Sequence, residues 1–500
     1  MLKEKHTLRI LYRFFCLFFL LFFCSACQGS GLRSELQEEL LSSPMLGEYF
    51  YAELEPYKKE VGEVYNHKNK LWWDTFASAD LNTLEQTALK ENYDILTAYS
   101  RMKQYAAEAH IAESEFFPLI TVGASGTSAH AERKSGSSER TVSETTEKYG
   151  LNASASYELD LWGRVRSAYS ADNMRFYASR DDWQTAAMTI TANIASAWVE
   201  LLGNQAETDI VKEQIRVNES LVKLQKVRFS NSLVSSLDVL QQEEVLASSK
   251  AELPDLLQAN LELKNTLCIL LGKIPGNALN IDEHAPLPDV LAIPDVGIPV
   301  ELLQYRPDIR SAWANVQAKH FDLKEAQANR LPKLNLSVSH VFNAGSLSLL
   351  LENWTNELMG SLSYTLFDAG AKKHQVEKMR AMAEEAVTAY IKTVAEAVAE
   401  VNNAIAQEYS QQEKLRLLEQ QYVMAKSATR GALNSYLEGS EDVMRFLTLL
   451  QSTQDLERTI AKQRVNVVQV RINLYRALGN MYFPEEQVFV LAQKEAVDEK

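Results

Sequence analysis

Two stretches of the chain alternate between apolar and polar residues, and a very long helical pattern follows each of them. In residues 149–161 every odd position is apolar or aromatic, from Tyr149 to Leu161, whereas every even position is glycine or polar. Residues 361–367 repeat the alternation, with apolar residues from Leu362 to Leu366. A period of two is typical of β-strands with one apolar and one wet face. We therefore expect two strands, each short enough to cross a membrane obliquely.

Each of these strands has a predicted partner that begins after a proline. Residues 119–125 alternate after Pro118, and residues 333–339 alternate after Pro332. The polar segments 126–148 and 343–357 are predicted to be the loops that join each pair into a hairpin, the first of them long and mobile.

Helical periodicity fills most of the remaining chain. A helix over Asp80–Glu115, with Asp80 as its N-cap, precedes the first hairpin. The pattern after Gly163 runs without proline from Arg164 to Ser230, which at ~1.5 Å per residue could reach roughly 100 Å. A helix over Leu237–Leu271 returns from it.

The same order of elements recurs in the second half. A helix is predicted over Glu301–Arg330, a long helix begins at Lys372, and a returning helix ends at Leu478. Pro118 corresponds to Pro332 and Gly163 to Gly370. Such self-similarity indicates a tandem duplication.

Four membrane-length strands are too few to close a barrel with an interior. An open sheet in lipid would leave the N–H and C=O groups of its edges unsatisfied, at several kcal/mol each. Three chains would supply twelve strands around a water-filled bore. The alternative is a soluble β-sandwich whose apolar faces meet each other.

The first residues resemble a secretory signal. Basic residues precede the apolar run Phe14–Cys24, and Ser25 and Ala26 precede Cys27. The Cys-Ser-Ala-Cys ending resembles a bacterial lipobox, in which Cys27 is acylated, although Cys24 stands where leucine is usual. Ordinary cleavage that leaves Cys27 free is the alternative. Gln28 is not the aspartate that signals inner-membrane retention in enteric bacteria.

Composition excludes several other classes of function. The formal net charge of −15 argues against a nucleic-acid partner. The eight histidines are scattered, none at metal-ligand spacing with cysteine or aspartate. No nucleophile elbow, phosphate loop or dinucleotide fingerprint is found. We expect no enzymatic activity, cofactor or metal.

Several motifs, duplicated at matching spacing, together carry a family resemblance. They are Leu302-Leu303-Gln304-Tyr305-Arg306-Pro307-Asp308-Ile309-Arg310, Ala326-Gln327-Ala328-Asn329-Arg330-Leu331-Pro332-Lys333-Leu334, Leu159-Asp160-Leu161-Trp162-Gly163-Arg164 and Leu366-Phe367-Asp368-Ala369-Gly370. With them the chain resembles the TolC-like outer-membrane factors, in particular the NodT-type efflux lipoproteins.

The resemblance implies a homotrimeric, twelve-stranded β-barrel continuous with a long α-helical coiled-coil barrel in the periplasm. It implies a lipid-anchored outer-membrane location, and export of drugs or other small toxicants with a periplasmic adaptor and an inner-membrane pump. The expected domains are a lipoprotein signal peptide (1–26), an N-terminal lipid-anchored arm (27–78), a first repeat (79–273), a proline-rich linker (274–299), a second repeat (300–480) and a tail (481–500).

The resemblance also implies a periplasmic gate at the turns between paired helices. Asp442 matches the family's gate aspartate, and Arg445 stands where a further aspartate often follows. Glu441 and Asp238 are the other candidates. The second turn (436–442) is three residues shorter than the first (229–238), and Ser232 replaces the family's glycine in the first turn. The alternative role of Asp442 is to cap the returning helix.

Two other functions stay open at this point. The chain could be the outlet of a type I protein secretion system, which these residues do not separate from drug efflux. It could also be a lipid-anchored periplasmic coiled-coil scaffold without a pore.

Overall fold

Both halves of the chain fold as a helical segment, a β-hairpin and two long antiparallel helices. The computed structural model describes residues 71–134, 141–289 and 306–479. Cys27, the segments 1–26 and 481–500 and the motif residues 302–305 lie outside these ranges. The first half contains α1 (Ala79–Glu91), α2 (Tyr93–Ser114), β1 (Leu119–Lys134), β2 (Thr141–Leu159), α3 (Arg164–Ser230) and α4 (Ser236–Leu270). The second contains α5 (Pro307–Ala328), β3 (Lys333–Ala344), β4 (Trp354–Ser363), α6 (Ala371–Leu437) and α7 (Val443–Ala477).

The strands form a four-stranded antiparallel sheet in the order β1-β2-β3-β4. Its register separates the side chains by face, because directly paired residues share a side of the sheet. One row contains Ile120, Ala155, Val338 and Leu358, and the adjacent row on the other face contains Thr121, Ser154, Ser339 and Glu357. The predicted division into an apolar and a polar face is therefore confirmed.

The apolar face of the sheet is exposed rather than packed against another described element. Ile120 is 72% exposed, Val122 73% and Leu358 66%. The described residues contain no second sheet against it, so the soluble-sandwich alternative is wrong for this part of the chain. None of the described helices is long and apolar enough to span a membrane.

The first hairpin is longer than the sequence predicts. The segment 126–148 was expected to be a loop, but β1 continues to Lys134 and β2 begins at Thr141. Beyond the pair Gly126–Tyr149 the ladder continues with mostly polar and charged residues. Serine, threonine and charge indicate solvent exposure as readily as they indicate a loop, and threonine is favourable in strands. The pattern therefore could not distinguish a wet two-stranded ribbon from a loop.

The last strand ends earlier than expected. β4 ends at Ser363, so the strand predicted over 361–367 agrees with the observed β4 only at residues 361–363. Leu366 and Phe367 lie beyond it and are 91% and 87% exposed. The segment 343–357, expected to be a loop, includes the end of β3 and the start of β4.

The long helices are matched in length between the halves. α3 and α6 contain 67 residues each, and α4 and α7 contain 35 each. The prediction of one uninterrupted helix over 164–230 is confirmed. So is the duplication. α4 packs against α3, α3 against α7, and α7 against α6, so that α4 and α6 lie at the two edges of this layer.

The helix predicted over 80–115 is divided in two. Asn92 has an extended backbone, and its side-chain oxygen accepts from the N–H groups of Asp94 (2.9 Å) and Ile95 (3.1 Å). Its amide donates to the Leu270 carbonyl at 2.8 Å. Asn92 therefore caps α2 and ties it to the end of α4. Asp80 is not the cap of α1, because Ser78 accepts from the Leu81 N–H.

Both long helices begin at a glycine after a strand. Gly163 and Gly370 have φ of 76° and 84°, a left-handed conformation that glycine adopts without strain. Glycine has no side chain that could cap a helix. An aspartate upstream of the glycine accepts hydrogen bonds from the first N–H groups of the helix instead. Asp160 accepts from the N–H groups of Val165 (3.1 Å) and Arg166 (3.0 Å). Asp160 therefore stabilises the start of α3.

Candidate functional site

The ends of the paired long helices form the candidate site, because all four predicted gate residues lie there. The connections are residues 231–235 and 438–442, equal in length. In the first turn the Leu233 N–H donates to the Arg228 carbonyl, and in the second the Ser440 N–H donates to Ser435, both at 3.0 Å. The expectation that the second turn is shorter is therefore wrong.

The aspartates Asp238 and Asp442 occupy different positions in the two turns, which explains the wrong expectation. The N-cap of α4 is Ser235, whereas the N-cap of α7 is Asp442. Asp238 lies three residues after its cap, where the second half has Arg445. The segments 229–238 and 436–442 therefore differ by three residues only because their final aspartates occupy different positions relative to the helix start.

The left-handed residue of each turn is also equivalent. Ser232 has φ 59° and Gly439 has φ 75°. The substitution of Ser232 for the family's glycine therefore preserves the conformation, although a residue with a side chain is less favourable there.

The charged side chains of the second turn are paired locally. Asp442 accepts from the Met444 N–H at 3.2 Å and so caps α7. Arg445 forms an ion pair with Glu441, one helical turn earlier. Within the described part of one chain, no hydrogen bond or ion pair joins Asp442 to Arg445. Both side chains are exposed, so they are available to contact groups outside this chain.

Asp238 stabilises the turn in which it lies. Its carboxylate accepts from the Ser235 N–H at 2.7 Å while the Ser235 hydroxyl accepts from the Asp238 N–H at 3.3 Å. This is a capping box, which satisfies two backbone donors at the start of α4.

An aromatic cluster beneath the turns connects the two halves. Tyr436 and Phe446 stack with centroids 6.3 Å apart, between α6 and α7. The guanidinium of Arg228, in the last turn of α3, lies 4.4 Å from the Tyr436 ring centroid. Such a cation–π contact between partly desolvated groups stabilises by about 1–2 kcal/mol.

Sequence reasoning missed Arg228. A basic residue in the last turn of a helix is ordinarily explained by the helix dipole. Nothing in the local pattern shows that it reaches the other repeat. Its Nε and the Tyr436 hydroxyl are buried and have no hydrogen-bond partner among the described residues.

The chemistry of this site is electrostatic. Two carboxylates, an ion pair and an arginine–tyrosine contact can bind or repel charge and can hold the turns together. The residues that the structure describes contain no group of histidine, cysteine and acidic side chains arranged to hold a metal ion.

The chain is similar to proteins of known class over most of its length. It is 28% identical over 413 residues to the pyoverdine export outer membrane protein OpmQ of Pseudomonas putida, covering 82% of this chain and 87% of that protein. The solved structure of the outer-membrane channel OprN superposes with a TM-score of 0.77 at 28% identity, covering 82% of this chain and 92% of that one.

The outer membrane protein VceC of Vibrio cholerae superposes with a TM-score of 0.76 at 26% identity, covering 82% of this chain and 98% of that chain. The model of the family described as "Outer membrane efflux protein" matches residues 84–273 and 298–480, which together form most of the sequence. The chain belongs to the outer membrane efflux protein family.

Proposed function

We propose that this protein is the outer-membrane exit channel of a tripartite efflux pump, acting as a homotrimer with a twelve-stranded barrel. The observation that carries this proposal is the sheet, which has an exposed apolar face, a polar face rich in serine, threonine and asparagine, and open edges at β1 and β4. In lipid the open edges would each leave a row of unsatisfied backbone groups. Pairing β4 of one copy with β1 of the next removes them.

The helices support the same closure. The edge helix α4 exposes Leu240, Leu257 and Leu261, and the edge helix α6 exposes Leu417 and Val423. Apolar residues on the unpaired sides of two edge helices fit packing of α4 against α6 of a neighbouring copy. Closure of the sheet and of the helical layer then uses the same neighbour.

The transported class is proposed to be small toxic molecules. The similarity to OpmQ, a pyoverdine export protein, supports small-molecule export. A passive conduit needs an energy source, so the partners are a periplasmic adaptor and an inner-membrane pump. The channel contributes no catalytic step. The outlet of a type I protein secretion system remains the alternative.

Asp442, Arg445, Glu441 and Asp238 are proposed as gate residues. Their exposure or partial exposure at the end of the helical layer supports this role, because three-fold symmetry would bring three copies of each charge to one neck. The local pairing of Arg445 with Glu441 makes the proposed ring one of mixed charge.

Acylation of Cys27 is proposed from the lipobox-like sequence alone. Several acyl chains would anchor the mature N-terminus stably. Mass spectrometry of that terminus should show an acylated Cys27, and a free amino group on another residue would contradict it. Because the barrel would itself be embedded, Cys27→Ala should lower assembly efficiency without abolishing conductance.

Reconstitution tests the channel. The purified full chain in planar bilayers should conduct ions, and its native mass in detergent should correspond to three copies. A conducting monomer would contradict the architecture, and a trimer without conductance would favour a scaffold. A deletion strain should become sensitive to small toxic compounds while its protein secretion is unchanged, and the opposite outcome would favour the secretion outlet.

A further inference from the structure

The loop between β3 and β4 carries apolar side chains that no described part of the chain covers. Leu347 is 68% exposed, Leu349 45% and Leu351 67%. No charged residue occurs between Val341 and Leu351. Adjacent exposed leucines are unusual on a water-facing loop and indicate a contact surface.

The loop continues the apolar face of the sheet. The last pair of the β3–β4 ladder is Phe342 and Trp354, which lie on that face. Trp354 is 59% exposed, and the His340 ring lies 4.6 Å from Phe342 and 5.7 Å from Trp354 between centroids. These aromatic side chains extend the apolar face to the last paired residues of the two strands. The leucines follow directly after this pair, in the loop.

The backbone of the loop satisfies several of its own donors. The Leu349 N–H donates to Ser346 (3.2 Å), the Leu350 N–H to Leu347 (3.4 Å) and the Glu352 N–H to Leu349 (3.1 Å). The Ser346 and Ser348 hydroxyls lie 3.2 Å apart and share a hydrogen bond. Satisfied backbone donors reduce the cost of leaving water.

The neighbouring hairpin has the opposite character at the same end of the sheet. Beyond Tyr149, the β1–β2 ribbon carries His130, Glu132, Glu147 and Lys148. Its polar surface suits water. Exposed leucines are therefore a property of the β3–β4 loop and not of this end of the protein in general.

We infer that the β3–β4 loop inserts its leucines among the acyl chains of the membrane leaflet farther from the helices, as a lipid contact additional to the barrel. This inference rests on the proposed membrane placement of the sheet. The occupant is lipid, because the loop is continuous with the apolar face and uncharged up to Glu352.

Photo-crosslinking tests the inference in the full chain. A benzophenone side chain is introduced singly at Leu347, Leu349 or Leu351, and the protein is reconstituted in dioleoylphosphatidylcholine vesicles and irradiated. Leu358, on the apolar face of β4, and Thr355, on the polar face, are matched controls. Lipid adducts are expected from the loop and from Leu358, and not from Thr355. Changing the other two leucines to serine should cause a loss of adduct from the Leu349 probe.

The outcomes separate the loop from the barrel. Lipid adducts from Leu358 with none from the loop would overturn the inference and leave the proposed channel intact. Adducts between two protein chains at the loop would also overturn it, because a neighbouring copy would then cover the leucines. An absence of lipid adducts from Leu358 would instead overturn the membrane placement of the sheet.

Discussion

Glu85 is a carboxyl group enclosed in the helical core. Its side chain is fully buried, and neither oxygen has a hydrogen-bond partner among the described residues. Burial raises the pKa of Glu85 well above its usual range, because an ionised carboxylate would lose its hydration. The group therefore favours the folded state only while it is protonated.

The direction of the pH dependence follows from the raised pKa. Below the unfolded pKa of about 4.3, both states hold the proton and the full stability is present. As pH rises toward the folded pKa, the unfolded state releases its proton first, and stability falls by up to about 1.4 kcal/mol per pH unit. Glu85→Gln should remove this loss, so its melting temperature relative to wild type should increase from pH 5 to pH 8. A difference that is constant with pH would contradict the buried neutral carboxyl.

Single residues also explain where sequence reasoning stopped. Asn92 occurs inside a helical apolar period, and its capping role depends on Leu270, which is distant in the sequence. Arg228 reaches Tyr436 in the other repeat. Local patterns report which face of an element is apolar, but they contain no information on such long-range polar contacts.

At the scale of elements, a buried ion pair joins α6 to α7. The Arg471 Nε donates to the Glu408 carboxylate at 2.8 Å, and the exposed fractions of the two side chains are 2% and 0%. Removing Glu408 would leave the Arg471 guanidinium buried without its carboxylate partner, and burying a charge after its ionic partner is removed is costly.

Glu408→Ala should therefore destabilise the protein by about 3–5 kcal/mol. The double change Glu408→Leu with Arg471→Met should recover most of that loss, because it removes both charges. The matched control is Glu419→Ala, which breaks an exposed pair with Arg464 between the same two helices and should cost at most about 1 kcal/mol. Thermal unfolding in detergent measures all three, and equal losses for the two single changes would refute the distinction.

Element prediction succeeded where one period persisted over many residues. The 67 residues of α3 were predicted with their bounds, since no proline or glycine run interrupts them before Ser230. It failed where a polar segment could be either a loop or a solvent-exposed strand, as in the outer part of β1 and β2. The two faces of the sheet followed from strict alternation, but the extent of β4 did not, because the apolar alternation continues past Ser363 without pairing.

At the scale of the whole molecule, the arrangement of the turns gives the gate proposal a sharper form. Asp442 caps α7 in every copy, so removing its side chain affects both the helix and any ring of charge. Asparagine caps a helix about as well as aspartate but carries no charge. Asp442→Asn therefore separates the two roles, while Asp442→Ala removes both.

Reconstituted Asp442→Asn should change conductance or cation preference while keeping the wild-type melting temperature, because like charges in a narrow neck bind cations. Arg445→Ala should shift selectivity in the opposite direction, and the double change should be non-additive if the two groups meet across the trimer. Ser78→Ala is the control: it removes the uncharged N-cap of α1, which is not part of either turn, and should cost about 1 kcal/mol of stability without altering selectivity. Wild-type conductance in Asp442→Asn, with lowered stability only in Asp442→Ala, would leave helix capping as the whole role of Asp442.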